Sequence, residues 1–399
     1  LKEIPFLILV SLSALREFSS TTFYNLGKSF QHSSFSTWFI LIFPMIYKKI
    51  RLVVFIIIAF SSSVVDMSLL LAPSTPSTLS VRILQIFQSS DMDSFFIASN
   101  LSLIQLFIII ILLIVWIFFE KIIKLKFFYI FFIKITSFKS EFLKITILCF
   151  SVILFLLSFM GIICSILWGF SENWYFPNFF PNDLNIENFL NFYYQNKSLI
   201  LISIFIPLMV SLLSISLIIL WVELLDYLNI TKTQFEWIIF TPLFIPQISF
   251  LIGIQSFMIF FNFSSFLIPL IFVQLFYVIP YCFIILAPAM REVKSDYIKV
   301  ASSLGKNRIV RLFKIKIPLV LHSLMTSFAI GMIVSFALYV PVYFIGAGRV
   351  TTLTVEALNL ALSGSKQDLG IATFFQILFP TLLLFIVAFI NRKTVKWQI

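Results

Sequence analysis

The sequence predicts an all-α protein that crosses a membrane several times and contains two related halves. Three observations support this fold class. Of the 399 residues, 60% are hydrophobic and only 11% are charged, which is unlike a soluble domain. Apolar runs of about 20 residues, the length that a helix needs to cross a bilayer, recur along the chain. Part of the chain also matches itself when it is shifted along its own length, which indicates an internal repeat.

The apolar runs predict the positions of the spanning helices. Residues 1–15 are expected to be the end of one span that is too short to cross a bilayer alone. Complete spans are predicted at residues 45–71, 94–119, 145–170, 198–225, 237–261, 266–290, 318–345 and 370–390.

The net charge of +11 comes from basic clusters between the apolar runs. These clusters, at residues 48–51, 121–144, 291–316 and 392–396, fit cytoplasmic loops by the positive-inside rule. The rule predicts a cytoplasmic C-terminus, and it places the loops at residues 72–93, 171–197 and 347–369 on the outer side. Because the positive charge is explained by the bilayer, we expect the lipid bilayer and not nucleic acid as a partner.

The repeat appears at a shift of 274 residues. Pro44 then meets Pro318, and Thr78-Leu79 meets Thr352-Leu353. The repeat predicts three parts, the first of which is expected to be incomplete at its N-terminus. They are the C-terminal part of a first half at residues 1–119, a cytoplasmic linker at 120–144, and a second half with six spans at 145–399.

The loop at residues 299–318, KVASSLGKNRIVRLFKIKIP, carries the most specific motif of the chain. It resembles the cytoplasmic EAA loop of ABC importer permeases, with Lys299 and Val300 in place of the Glu and the first Ala. The residues that fit the pattern are Ala301, Gly305, Ile315, Ile317 and Pro318. In that family the loop is a short helix-turn-helix that docks on the ATP-binding subunit.

The residue types of this loop suit a turn between two short helices. Gly305 permits a positive φ, Ala301 is expected to keep one helix face slim for docking, and Pro318 suits a helix N-terminus. The repeat aligns Gly27 with Ala301, Gln31 with Gly305, and Pro44 with Pro318. The first loop is thus degenerate, because a Gln in the left-handed region costs about 1 kcal/mol.

The resemblance implies a MetI-like permease fold of the fused two-half type, similar to the thiamine, iron(III) and Ynj-type permeases. It implies a transport subunit of a bacterial inner membrane that is not itself an enzyme and carries no cofactor. Its expected partners are two ABC ATP-binding subunits and a periplasmic substrate-binding protein. The alternative is a secondary transporter driven by an ion gradient, because such folds also carry repeats.

Polar residues within the spans are candidates for the translocation path. Ser61, Ser62, Ser63 and Asp66 follow one another in the span at 45–71, where an acidic residue usually faces a cavity or a partner. The alternative is an Asp66 at the outer interface, since it lies roughly 33 Å beyond Pro44 along a helix.

The span at 237–261 contains Pro242, Pro246 and Gly253, which are expected to interrupt it. Broken spans often line binding cavities, which makes Gln247 and Gln255 candidate contacts on the path. The alternative is a tolerated kink.

The sequence favours no catalytic or metal centre. It contains no GxxxxGK[ST] phosphate loop, and the spacing of its Cys and His residues fits no metal site. Two acids at the end of a span, Glu223 and Asp226, are expected to be solvated or paired with nearby Lys.

The unequal loops generate a first prediction. Because Gly305 is present only in the second loop, disrupting residues 299–318 should reduce retention of the ATP-binding subunits more than disrupting residues 25–44. Co-purification from cells that express all subunits would measure this. Equal losses from the two disruptions would contradict the prediction.

Overall fold

The computed structural model describes residues 42–395, except for residues 90, 125–139, 173, 176, 182, 229, 231–235, 262–264 and 294, and a few positions before residue 42. The chain forms two compact units. One comprises Leu1–Val64, Thr75–Met160 and Leu243–Ser249, and the other comprises Val65–Ser74, Gly161–Pro242 and Phe250–Ile399.

The described residues form helices, as the sequence predicts, and the β-structure found among them is an isolated bridge between Ser171 and Leu184. The helices up to the middle of the chain are α1 (Phe43–Ser63), α2 (Asp66–Leu71), α3 (Leu79–Phe87), α4 (Met92–Lys124), α5 (Ser140–Phe170), α6 (Glu187–Gln195), α7 (Lys197–Tyr227), α8 (Trp237–Phe244) and α9 (Gln247–Phe260). The remainder are α10 (Leu267–Arg291), α11 (Ser295–Ser303), α12 (Arg308–Arg311), a π-helical segment (Leu312–Lys316), α13 (Ile317–Leu319), α14 (Leu321–Ala337), α15 (Val340–Gly346), α16 (Leu353–Ser363) and α17 (Lys366–Val395).

Five of the described helices are long and apolar enough to cross a membrane, and the number rises to seven if each of two bent pairs is one span. The five lie at Asp93–Ile123, Ile145–Phe170, Lys197–Tyr227, Leu267–Arg291 and Lys366–Ile390. Each coincides with a predicted span. These helices confirm the prediction of a polytopic membrane protein.

Three predicted spans are broken helices. The span predicted at 45–71 breaks between α1 and α2, and the one at 318–345 breaks between α14 and α15. The span at 237–261 bends by 99° between α8 and α9. Of the three residues expected to interrupt that span, only Pro246 lies at the break. A proline there removes one helical hydrogen bond, since it has no backbone N–H to donate. Pro242 and Gly253 lie inside helices.

The repeat is visible in the helix boundaries. A shift of 274 residues places α1 on α13 and α14, α2 on α15, α3 on α16, and α4 on α17. In both copies the third helix packs along the fourth. Its N-cap is Thr78 in one copy and Thr352 in the other, each with an extended backbone. The structure thus supports the repeat independently of the residue matches.

The break in each copy is stabilised from the third or fourth helix. A carbonyl near the end of α14, that of Phe336, accepts a hydrogen bond from Thr354 Oγ1 at 2.6 Å. The equivalent carbonyl of Ser62 lies 3.5 Å from Gln105 Nε2, and that amide donates a stronger bond to Ser80 Oγ at 2.6 Å. Ser80 and Thr354 are repeat equivalents, but Thr354 bonds the carbonyl directly, whereas Ser80 is linked to it through Gln105.

The core of the second unit is the contact among α7, α10 and α14. Small residues let these helices approach closely, as is common in membrane proteins. Ser211 and Ser214 of α7 are fully buried, and a Cβ placed on Gly331 of α14 would meet Cys282 Sγ of α10 at 2.8 Å. The residues at these contacts leave little room for substitution.

A closer approach joins α5 and α17. A Cβ on Gly370 would lie 2.7 Å from the carbonyl oxygen of Ser165 and 2.9 Å from the Cα of Gly169. These neighbours are backbone atoms, which cannot move aside as a flexible side chain can. The position therefore requires glycine.

We predict that Gly370→Ala destabilises the protein by about 1–3 kcal/mol, the usual cost of overpacking. The matched control is Gly253→Ala, because a Cβ there meets nothing within 4 Å and alanine favours a helix. Thermal unfolding in detergent would compare the two variants. Equal midpoints for Gly370→Ala and the unsubstituted protein would refute the close approach.

Candidate functional site

The loop between α11 and α12 turns at Gly305. The N–H of Gly305 donates to the carbonyl of Ser302 at 3.0 Å, and the N–H of Lys306 donates to the carbonyl of Ala301 at 3.1 Å. These two bonds form a Schellman motif, which ends a helix with a left-handed residue. Gly305 has a φ of +70°, as predicted. A Cβ at Gly305 would contact nothing within 4 Å, so its requirement for glycine is a matter of backbone conformation alone.

The exposed surface of this loop is apolar at several positions. The exposed fraction of the side chain is 70% for Leu304 and 71% for Ile309, although both lie among basic residues. Tyr297, Val300 and Phe313 of the same segment are exposed too. We call these five residues the loop face. Apolar side chains that water would otherwise surround are typical of a surface that a partner or membrane covers.

Ala301 does not belong to the loop face. It is 4% exposed, so its small side chain lets α11 pack against the rest of the chain. The role of Ala301 in docking a partner stays a prediction. Ile315 and Ile317 are half-buried, and Pro318 is exposed in the first turn of α13. That first-turn position agrees with the predicted role of Pro318 in starting a helix.

A buried ion-pair network attaches this loop to α7. Lys316, only 5% exposed, forms ion pairs with Glu223 and with Asp226, the latter at 2.6 Å. Arg308 donates to the backbone carbonyl of Glu223 at 2.7 Å and its guanidinium lies over the ring of Tyr227 at 4.8 Å. Lys316 and Arg308 thus attach the loop to the last turn of α7. The partial negative charge of the carbonyl groups at that helix end also favours cations there.

The sequence predicts only that Glu223 and Asp226 are solvated or paired with nearby Lys. The structure identifies Lys316 as the partner. It also shows that Lys316 occupies a π-helical segment, Leu312–Lys316, a local irregularity that is frequent at functional sites. The signal that could have suggested this pairing was the spacing of the two acids by three residues, which places them on one face of a helix.

The first copy of the loop is only partly described. Gly27 and Gln31 lie outside the described residues. Pro44 lies in the first turn of α1, the same position that Pro318 occupies in α13. Near it, Glu120 of α4 is 6% exposed and accepts hydrogen bonds from Tyr47 and from Arg51. This buried acid, which the sequence did not single out, attaches α1 to α4.

The candidate residues of the translocation path fall in both units. The hydroxyls of Ser61, Ser62 and Ser63 all donate to carbonyls of their own helix, α1. Gln247 is buried at the start of α9, and these four residues belong to the first unit.

The other two path candidates, Asp66 and Gln255, belong to the second unit. Asp66 lies in the first turn of α2, where a negative charge is favourable, and it interacts electrostatically with Tyr339. Gln255 lines a cavity of about 260 Å³ together with Phe266 and Phe344. Its side-chain oxygen is buried without a hydrogen-bond partner among the described residues.

Comparison with known proteins agrees with the architecture. The family described as binding-protein-dependent transport system inner membrane component matches residues 197–395, which include the loop and the three-helix core. The Escherichia coli (strain K12) inner membrane ABC transporter permease protein YnjC is 23% identical over 356 residues. That similarity covers 88% of this chain and 63% of the relative. The chain therefore spans less than two thirds of the length of this relative.

We predict that Lys316→Met destabilises the protein by about 1–3 kcal/mol, because it removes hydrogen bonds to two charged groups and leaves Glu223, whose side chain is 14% exposed, with Arg308 as its remaining cationic partner. Adding Glu223→Gln and Asp226→Asn to this variant should restore most of the loss. The matched control is Lys299→Met, because the Lys299–Asp296 pair is more than three-quarters exposed on both sides and such pairs contribute little. Thermal unfolding in detergent measures all three. A Lys316→Met protein as stable as the control would show that the network does not hold the loop.

Proposed function

The chain belongs, through residues 197–395, to the family of binding-protein-dependent transport system inner membrane components, and we propose that it forms the membrane path of an ATP-driven ABC importer. The loop at residues 299–318 couples this path to ATP-binding subunits. The geometry of the loop is the observation that carries the proposal. It combines a sharp turn, an exposed apolar face and a buried anchor.

The three features have distinct mechanical roles. The Gly305 turn sets the angle between α11 and α12, and so holds the loop face in one arrangement. The loop face gives a docking partner apolar surface to bury, at about 25 cal/mol per Å². The pairing of Lys316 with Glu223 transmits displacement of the loop to α7. Because α7 packs on α10 and α14, a movement of the loop would tilt the core of the second unit.

The partners proposed are two ATP-binding subunits and a substrate-binding protein on the outer side. The basic loops, including residues 291–316, face the cytoplasm in this proposal, as does the C-terminus. The loop of the first half occupies the equivalent place before α1, where Pro44 and Pro318 share one helical position. One ATP-binding subunit would therefore dock on each half.

The path itself is proposed to use polar residues near the helix breaks. Asp66 lies just after the break between α1 and α2, and Gln247 just after the break between α8 and α9. Broken helices expose backbone groups that can bind a polar substrate inside a membrane. Gln255, with its unpaired side-chain oxygen, is a further candidate contact. The hydroxyls of the three serines of α1 already donate to carbonyls of their own helix. Their contribution to the path would therefore be mainly the space that small side chains leave.

The coupling role predicts a loss of subunit binding when the turn is disturbed. Gly305→Val places a β-branched residue in the left-handed region, at a cost of about 1–2 kcal/mol. We expect the variant to retain the ATP-binding subunit with roughly tenfold lower affinity. Co-purification over a range of salt concentrations would measure the affinity.

The control for this experiment is Gly364→Val. Gly364 has a φ of +86° and, like Gly305, has nothing within 4 Å of a Cβ, but it lies in the 347–369 loop at the other predicted face of the membrane. The two variants impose the same backbone strain. If both reduce subunit binding equally, general misfolding explains the loss and the coupling role is contradicted.

A further inference from the structure

A cleft of about 700 Å³ lies between the loop and the ends of two spanning helices. Its walls include Asp226 and Tyr227 from the last turn of α7, and Met290 and Arg291 from the last turn of α10. Because both spans end here, the cleft lies at the level where a bilayer has its headgroups. Tyr227 is 67% exposed, and tyrosine is enriched at that level.

The cleft has an excess of positive charge. Five cationic side chains line it, against the carboxylates of Glu223 and Asp226. Glu236 pairs with Arg291 from outside this lining, and the carbonyl ends of α7 and α10 add about half a negative charge each, which leaves roughly one positive charge. The five cations are Arg291, Lys299, Arg308, Arg311 and Lys316.

Three of these cations already have close acidic partners. Lys316 and Arg308 pair with Glu223, and Arg291 pairs through both of its terminal nitrogens with Glu236. The remaining two are Lys299 and Arg311. They account for the excess charge of the cleft.

Arg311 lacks an ion pair among the described residues. One of its terminal nitrogens donates to the hydroxyl of Ser302, and its Nε is buried with no acceptor in the described part of the chain. A buried donor without an acceptor costs about 1–3 kcal/mol. A small turn of the guanidinium toward the cleft, which Arg311 lines, would let an entering oxygen atom accept from that donor.

Lys299 is available to the same ligand. Its one ion pair within the described residues, with Asp296, is 3.9 Å long and exposed, so it is weak and screened. Lys299 also stands at the position where the EAA pattern has a Glu, so the loop carries a base in place of an acid there. The replacement makes the cleft more positive, and the coupling role of the loop does not explain it.

We propose that this cleft binds a phosphate group, with Arg311 and Lys299 as its ligands from the protein. A guanidinium presents a fork of donors that matches phosphate oxygens, and an ammonium adds a second point of attraction. The phosphate comes either from an anionic phospholipid of the inner leaflet or from free inorganic phosphate. A bound phosphate would link Lys299 of α11 to Arg311 of α12, across the turn at Gly305.

The test uses the purified full chain in phosphatidylcholine nanodiscs. In one arm, phosphatidylglycerol replaces part of the lipid, and native mass spectrometry measures how much stays bound on release. In the other arm, inorganic phosphate is titrated and the thermal midpoint is measured. A lipid site predicts retention in the first arm only, and a free-phosphate site predicts a rise of the midpoint in the second.

Variants distinguish a specific site from diffuse attraction. Arg311→Gln and Lys299→Glu should each weaken the binding about tenfold or more, while Lys314→Gln, an exposed cation of the same loop outside the cleft, should leave it unchanged. Lys299 is exposed, so its variant should fold even if Arg311→Gln does not. Binding of neither ligand, or equal weakening by Lys314→Gln and Lys299→Glu, would overturn the proposal. Either result leaves the permease role of the chain intact.

Discussion

The pairing of buried Lys316 with Glu223 and Asp226 is the interaction on which the arrangement of the loop depends. An ammonium group with 6% of its side chain exposed is tolerable only beside its carboxylates, since an unpaired buried charge costs several kcal/mol. The loop therefore cannot separate from α7 while Lys316 stays buried. This constraint ties the loop to the last turn of α7, a helix that packs on α10 and α14.

The internal repeat produces the same helix arrangement twice, and the two copies differ in their buried polar contacts. Each copy starts a helix at a proline, breaks it after about 20 residues and supports the break from the following helices. The first copy uses Glu120 with Tyr47 and Arg51 as its buried polar contact, whereas the second uses Lys316 with its two acids. The positions of the helices are shared, and the ion pairs are not.

Some features were predictable from sequence because they are local. The turn at Gly305 follows from the conformational freedom of glycine, and the long spans follow from uninterrupted apolar runs. The break between α14 and α15 was missed because its proline, Pro341, follows the break and the surrounding residues are apolar. The pairing of Lys316 with Glu223 joins positions 93 residues apart, and the inward position of Ala301 depends on packing. Both are decided by tertiary structure, which a single sequence does not display.

Contact between the loop face and an ATP-binding subunit is the central claim, and site-specific photo-crosslinking tests it most directly. A photoreactive amino acid at position 304 replaces Leu304, whose side chain is 70% exposed, in cells that produce the full set of subunits. A second chain carries the probe at Phe179, which is 91% exposed in the loop predicted to face outside. The account predicts a crosslink from position 304 to the ATP-binding subunit and none from position 179. Labelling of lipid alone from position 304, with the ATP-binding subunits assembled, would contradict it.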